Sequence, residues 1–133
     1  MKIVLCLLAL ATVALAKKCF LAEDTDKLEV MINECKTKTG VPDDILQKAR
    51  NGEKIDDPKL REHALCMMKK SEMMNDAGEM QMDKIRARIK HAVSNEAEGT
   101  RIMNECAVKK DTPLATAYEM ICCLIRNKNS VDE

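Results

Sequence analysis

The chain has 133 residues, 46% of them hydrophobic and 33% charged, with 22 basic residues against 22 acidic ones. That length fits one domain. Balanced charge argues against a nucleic-acid partner, whose phosphates call for a basic surplus, and the apolar share excludes a disordered chain. Two counts stand out: seven cysteines, and aromatic residues at only 2%, with Trp absent and Phe20 and Tyr118 the only large rings. Any interior must be aliphatic and thioether, drawing on ten methionines.

Residues 1–16 read as an address. Lys2 precedes the apolar run Ile3–Leu15, and the small residues Ala14 and Ala16 stand where a signal peptidase reads. The run is shorter than the about 20 residues a bilayer span needs, so a secretory signal cleaved after Ala16 is predicted. Cleavage removes Cys6 and leaves residues 17–133 as one domain with Cys19, Cys35, Cys66, Cys106, Cys122 and Cys123. Six cysteines in an exported chain suggest disulfides. No later apolar run is long enough to cross a membrane, so stable membrane insertion is not expected.

Along the rest of the chain the apolar residues recur at helical spacing. Leu28, Met31, Ile32 and Cys35 share one face of a helix over Thr25–Lys38, which Gly40 ends. Pro42 opens a short helix to about Arg50, with Ile45, Leu46 and Ala49 on one side. Asp57-Pro58 is a cap and first-turn signal for a third helix to about Met74, carrying Leu60, Ala64, Leu65, Met67 and Met68. Asn75-Asp76-Ala77-Gly78 is a turn. A fourth helix, about Met82–Val93, groups Ile85, Ile89, Ala92 and Val93, and a fifth, about Glu96–Lys109, carries Ile102, Met103 and Cys106. Thr112-Pro113 repeats the cap signature before a sixth helix with Leu114, Ala117, Tyr118, Ile121, Leu124 and Ile125. Two-residue alternation is not sustained anywhere, so the fold class is all-α, about six short amphipathic helices.

Catalysis has no positive support, and the chain is not expected to be an enzyme. His63 and His91 lie outside any HExxH motif. His63 and Cys66 have ligand-like spacing, but export makes a disulfide the better use of that cysteine. Aligning Gly78 with a calcium loop leaves Asn75 as the one suitable side-chain ligand and no bidentate Glu. No metal or other cofactor is expected. The carboxylates alternate with Lys and Arg as solvated helix faces do.

Export, six helices and the cysteine spacing together resemble the insect odorant-binding proteins, small exported carriers of hydrophobic molecules. Cys35, Cys66, Cys106 and Cys123 fit the first, third, fourth and sixth of that family's six positions. The second and fifth fall on Glu62 and Leu114, so the pair that normally bonds together is missing together. That paired loss marks the minus-C subgroup. The stretches Asp56–Ala64 and Cys106–Pro113 look like its beetle members, which include carriers from haemolymph and reproductive secretions.

The resemblance implies disulfides Cys35–Cys66 and Cys106–Cys123. Cys19 and Cys122 stand outside the pattern. Adjacent Cys122 and Cys123 point about 100° apart on a helix, leaving open either a third bond, Cys19–Cys122, or two unpaired thiols and a weak dimer in place of a monomer. The resemblance also implies helices converging on an apolar cavity, for which Met68, Met82, Ile85, Ile89, Met103, Tyr118 and Ile121 are the candidate lining residues, with plain core packing as the alternative for each. The Tyr118 hydroxyl is expected either to meet a ligand carbonyl or alcohol or to be satisfied by backbone or water.

The implied function is reversible carriage of a small hydrophobic ligand, aliphatic by composition, in sensillar lymph, haemolymph or reproductive secretion. A chemosensory receptor becomes a partner only if the protein is antennal. Only Leu124–Glu133 follows Cys123, too short for a helix swap into the cavity, and His63 and His91 are isolated. The competing reading is a helical signalling factor or a structural haemolymph or seminal protein without a ligand. A saposin-like lipid-binding protein is disfavoured by the cysteine placement.

Overall fold

The computed structural model describes residues 25–131, with side chains from Asp26 to Asn127. The predicted signal, Cys6, Cys19 and Phe20 lie outside the described residues. Among these, six helices follow one another: α1 (Thr25–Thr39), α2 (Asp43–Arg50), α3 (Pro58–Lys70), α4 (Met82–Ala92), α5 (Glu96–Cys106) and α6 (Pro113–Val131). No strand is formed among them, only an isolated antiparallel bridge between Met74 and Met80. No helix among the described residues is long and apolar enough to cross a membrane.

The helix starts follow the capping chemistry of the sequence. Asp57 Oδ1 accepts the Leu60 N–H at 2.9 Å ahead of Pro58. Asn95 Oδ1 accepts the Glu98 N–H at 2.9 Å, and Thr112 Oγ1 accepts the Ala115 N–H at 3.0 Å ahead of Pro113. Each bond satisfies a donor that the first helical turn leaves unpaired. Pro42 is itself the cap residue of α2, one place earlier than a first-turn proline.

Two helices stop earlier than the apolar pattern suggests. α3 ends at Lys70, because Ser71 Oγ donates to the Met68 carbonyl at 3.0 Å and Glu72 turns into the left-handed region at φ 66. A non-glycine residue adopts that region at a cost of about 1–2 kcal/mol, offset here by deep burial of Met73 and Met74 beyond it. α5 ends at Cys106, where the Val108 N–H bonds the Cys106 carbonyl at 2.9 Å in a tight turn. The last stretch of the chain instead prolongs α6 as far as Val131.

The 71–81 connection is a small hairpin. Asn75 Oδ1 accepts the Ala77 and Glu79 N–H groups at 3.0 and 2.9 Å. Gly78 carries φ 83, and a Cβ there would lie 2.5 Å from Pro113 Cβ. Glycine lets the hairpin close against the start of α6.

α3 is central: it packs on α6 and on α1, while α5 packs on α6 and α4. The core unites Leu28 and Ile32 of α1, Leu46 of α2, Ala64 and Met68 of α3, Ile85 and Ile89 of α4, Ile102 of α5, and Ala117 and Leu124 of α6. Two disulfides staple this arrangement, Cys35–Cys66 between α1 and α3 and Cys106–Cys123 between α5 and α6.

Candidate functional site

The interior that the helices enclose is methionine-rich. Met67, Met68, Met73, Met74, Met103 and Met120 are all buried, five of them at 2% exposure or less. Unbranched thioether side chains fill irregular space and repack at small cost. Of the predicted lining residues, Met68, Ile85, Ile89, Met103 and Tyr118 are buried, Ile121 is half-buried, and Met82 stands 40% exposed at the head of α4. Met73 and Met74 went unnamed in the sequence as interior residues of a loop. The density of methionine between Met67 and Met74 was the signal that could have found them.

Tyr118 is anchored within the protein. Its hydroxyl donates to the carbonyl of Ile55 in the α2–α3 connection and meets the Cys122 thiol one turn on. The Arg61 guanidinium stacks over its ring, 4.6 Å from the centroid, while Arg61 Nε donates to Asp56 Oδ1 at 2.9 Å. Lys54 Nζ bonds Glu119 Oε1 at 3.0 Å. Two contacts thus strap Lys54 and Ile55 to α6, and Asp56 is held through Arg61 of α3. Burial, with the Cys122 thiol adding to it, pushes the Tyr118 phenol up to about 12, so it remains a neutral donor. Burial also raises the Cys122 thiol, which is half-buried and free.

His63 is the opposite case. It is buried on α3, and its Nδ1 has no hydrogen-bond partner. Burial, then the nearby Arg50 guanidinium, lowers it to about 4 against a weaker opposing pull from the Cys35 carbonyl. At neutral pH the ring is uncharged. His91 is exposed on α4.

Among the described residues no group of three or more His, Cys, Asp or Glu side chains stands close enough to ligate a metal. An open, polar surface groove runs beside α1, lined by Asn33, Glu34, Thr37, Lys38 and Lys70, and is bridged by the 3.4 Å Lys70–Glu34 ion pair. It shares no residue with the methionine interior. What the interior offers chemically is apolar contact with few polar atoms to satisfy.

Comparison with known proteins agrees with this picture. Residues 17–127 match the PBP/GOBP family. The B1 protein of Tenebrio molitor is 35% identical over 106 residues, covering 80% of this chain and 82% of its own length. Odorant-binding protein 10 of Aedes aegypti is 27% identical over 96 residues, covering 71% of this chain and 68% of its own. Among solved structures, the THP12 carrier protein from yellow meal worm superposes with a TM-score of 0.57 at 38% identity, over 68% of this chain and 83% of that one. With a family match across nearly all of its helical portion, the chain belongs to the PBP/GOBP family, whose members are carriers that bind small molecules.

Proposed function

We propose that the protein is an exported carrier of small aliphatic molecules, such as alcohols, esters, aldehydes or fatty acids, held within the methionine-rich interior. The observation that carries this reading is the family's helix bundle filled with thioether and aliphatic side chains and nearly devoid of rings. Met68, Ile85, Ile89, Met103 and Ile121 would line the ligand, with the Tyr118 ring beside them and Met82 on the solvent side. Because the Tyr118 hydroxyl is committed to Ile55, recognition rests on apolar contact.

Export is supported by the signal-like residues 1–16 and by a family match that begins at Lys17. The extracellular fluid concerned is sensillar lymph, haemolymph or a reproductive secretion, and a chemosensory receptor is a partner in the first case alone.

Apolar contact predicts a simple rule for affinity. Each buried methylene contributes up to ~0.8 kcal/mol, so each added carbon tightens Kd by up to about fourfold until the chain outgrows the interior. Displacement of an apolar fluorescent probe by a homologous alcohol series tests this. Saturable probe binding, stepwise improvement with chain length and poor competition by large aromatic molecules are expected. Failure to bind any apolar probe saturably would overturn the carrier reading in favour of a signalling or structural role.

A further inference from the structure

Two nitrogen groups beside α1 are left by the fold without direct partners. His63 is 5% exposed, and its Nδ1 makes no hydrogen bond. The Cys35 carbonyl beside the ring already accepts from Thr39 Oγ1 at 2.8 Å. Arg50, half-buried at the end of α2, makes no hydrogen bond or ion pair among the described residues. A buried polar atom without a partner is destabilising, and so is a desolvated charge without a counter-charge in contact.

Both groups lie along the same stretch of α1. The Cys35–Cys66 disulfide, the Glu34–Lys70 ion pair and the approach of Gly40 to Lys59 Nζ run α1 and α3 antiparallel. His63 falls between Lys59 and Cys66, so it lies against the last turn of α1, from Cys35 to Thr39. α2 begins on that same turn, because Lys36 pairs with Asp43. Arg50 follows seven residues later, two turns on and on the same helix face as Asp43. Its guanidinium stands within electrostatic reach of Glu29, Asp43 and His63. Glu29 and Asp43 offset its charge only at a distance, and Asp43 is already paired with Lys36.

The apolar side of this corner leads inward. Met67, one turn on from His63, is 2% exposed and adjoins Met68 of the methionine interior. Ile32, Leu46 and Leu60 belong to the same core. A ligand with its tail in that interior would bring its head group to His63 and Arg50. A carboxylate suits both, because its planar pair of oxygens matches the N–H fork of a guanidinium. A neutral imidazole can meet it too, as donor to the carboxylate or as acceptor from the acid.

We propose that His63 and Arg50 form a head-group site that selects aliphatic carboxylates among the carrier's ligands, with the tail passing Met67 into the methionine interior. This rests on the carrier reading and gives it a preferred ligand class. An interior offering apolar contact alone would favour the alcohol, because burying an unpaired carboxylate is costly. The two head groups on one chain length therefore separate the cases.

Displacement of an apolar fluorescent probe by decanoate and by 1-decanol at pH 7 tests this. Each chain is read as the ratio of the two affinities, so that a general loss of binding cancels. The wild type should bind decanoate about tenfold or more tightly than 1-decanol. Arg50→Gln should abolish that preference and His63→Phe should reduce it, while Lys70→Gln, in the polar groove beside α1, should keep it. The imidazole 15N signals of His63 should shift on adding decanoate, and those of exposed His91 should not. A wild-type chain that binds 1-decanol saturably and decanoate no better would overturn this inference and leave the carrier reading intact. A preference that survives Arg50→Gln, or disappears in Lys70→Gln, would put the carboxylate elsewhere and overturn it equally. Saturable binding of neither ligand would overturn the carrier reading and this inference with it.

Discussion

At the α5–α6 seam, the Cys106–Cys123 disulfide lies beneath Asn127, whose polar atoms all find partners. Its Oδ1 accepts from Arg101 at 2.8 Å, and its Nδ2 donates to the Cys123 carbonyl at 2.8 Å. Arg101 is fixed in turn by Glu98 and by Glu105, the latter at 2.7 Å. At the α1–α3 seam, the Cys35–Cys66 disulfide lies beside His63, which is equally buried but keeps an unpartnered Nδ1. One seam is closed by a satisfied polar network and the other by apolar packing around a neutral imidazole. A satisfied network is insensitive to mild acid, whereas a buried neutral histidine makes its seam depend on pH.

Removing the staples should produce the largest effects. Cys35→Ala with Cys66→Ala opens a loop of 31 residues, and Cys106→Ala with Cys123→Ala one of 17. Chain entropy puts the costs at about 3.7 and 3.1 kcal/mol, respectively. Urea unfolding of both double variants checks the ranking. A much greater loss at the α5–α6 seam would mean that its polar network depends on the disulfide.

Next comes acid. His63 has a folded value of about 4 against 6.5 unfolded, so the unfolded chain binds the additional proton between those limits. Its contribution is complete above pH 6.5 and fades as pH falls toward 4, amounting to roughly 2–3 kcal/mol by pH 4.5. His63→Phe should flatten the wild-type decline by that amount, while carboxylate contributions common to both chains cancel. Parallel pH profiles would contradict the buried neutral ring.

Asn127→Ala should cost about 1–3 kcal/mol by stripping the partner from Arg101 and from the Cys123 carbonyl. Its loss should be the same at pH 7 and pH 5, in contrast to that of His63. Tyr118→Phe should be the mildest, about 1 kcal/mol for a single hydrogen bond to Ile55. Hydrogen exchange should then quicken in residues 51–57 and leave both stapled seams unchanged.

The helices were readable because cap residues and apolar period agreed, most clearly at Asp57-Pro58 and Thr112-Pro113. The end of α3 was not. Met73 and Met74 prolong the apolar pattern, and nothing local announces that Glu72 takes a positive φ to bury them outside a helix. The kind of interior was legible from the ratio of methionine to rings, but its membership was not. Met82 keeps helical spacing with Ile85 yet projects beyond the core as the first residue of α4. The Tyr118–Ile55 bond joins residues 63 positions apart, and the orphaned Nδ1 of His63 arises where α1 packs against α3. Both are products of tertiary assembly that no local pattern encodes.

The central claim is that an aliphatic ligand enters the thioether interior. Methyl NMR of the ε-13C-methionine-labelled chain, titrated with a medium-length aliphatic alcohol, tests it most directly. Saturable shifts at buried Met68 and Met103 that share one Kd are the expected result. Shifts confined to exposed Met82, or rising without saturation, would show surface adsorption and contradict the account.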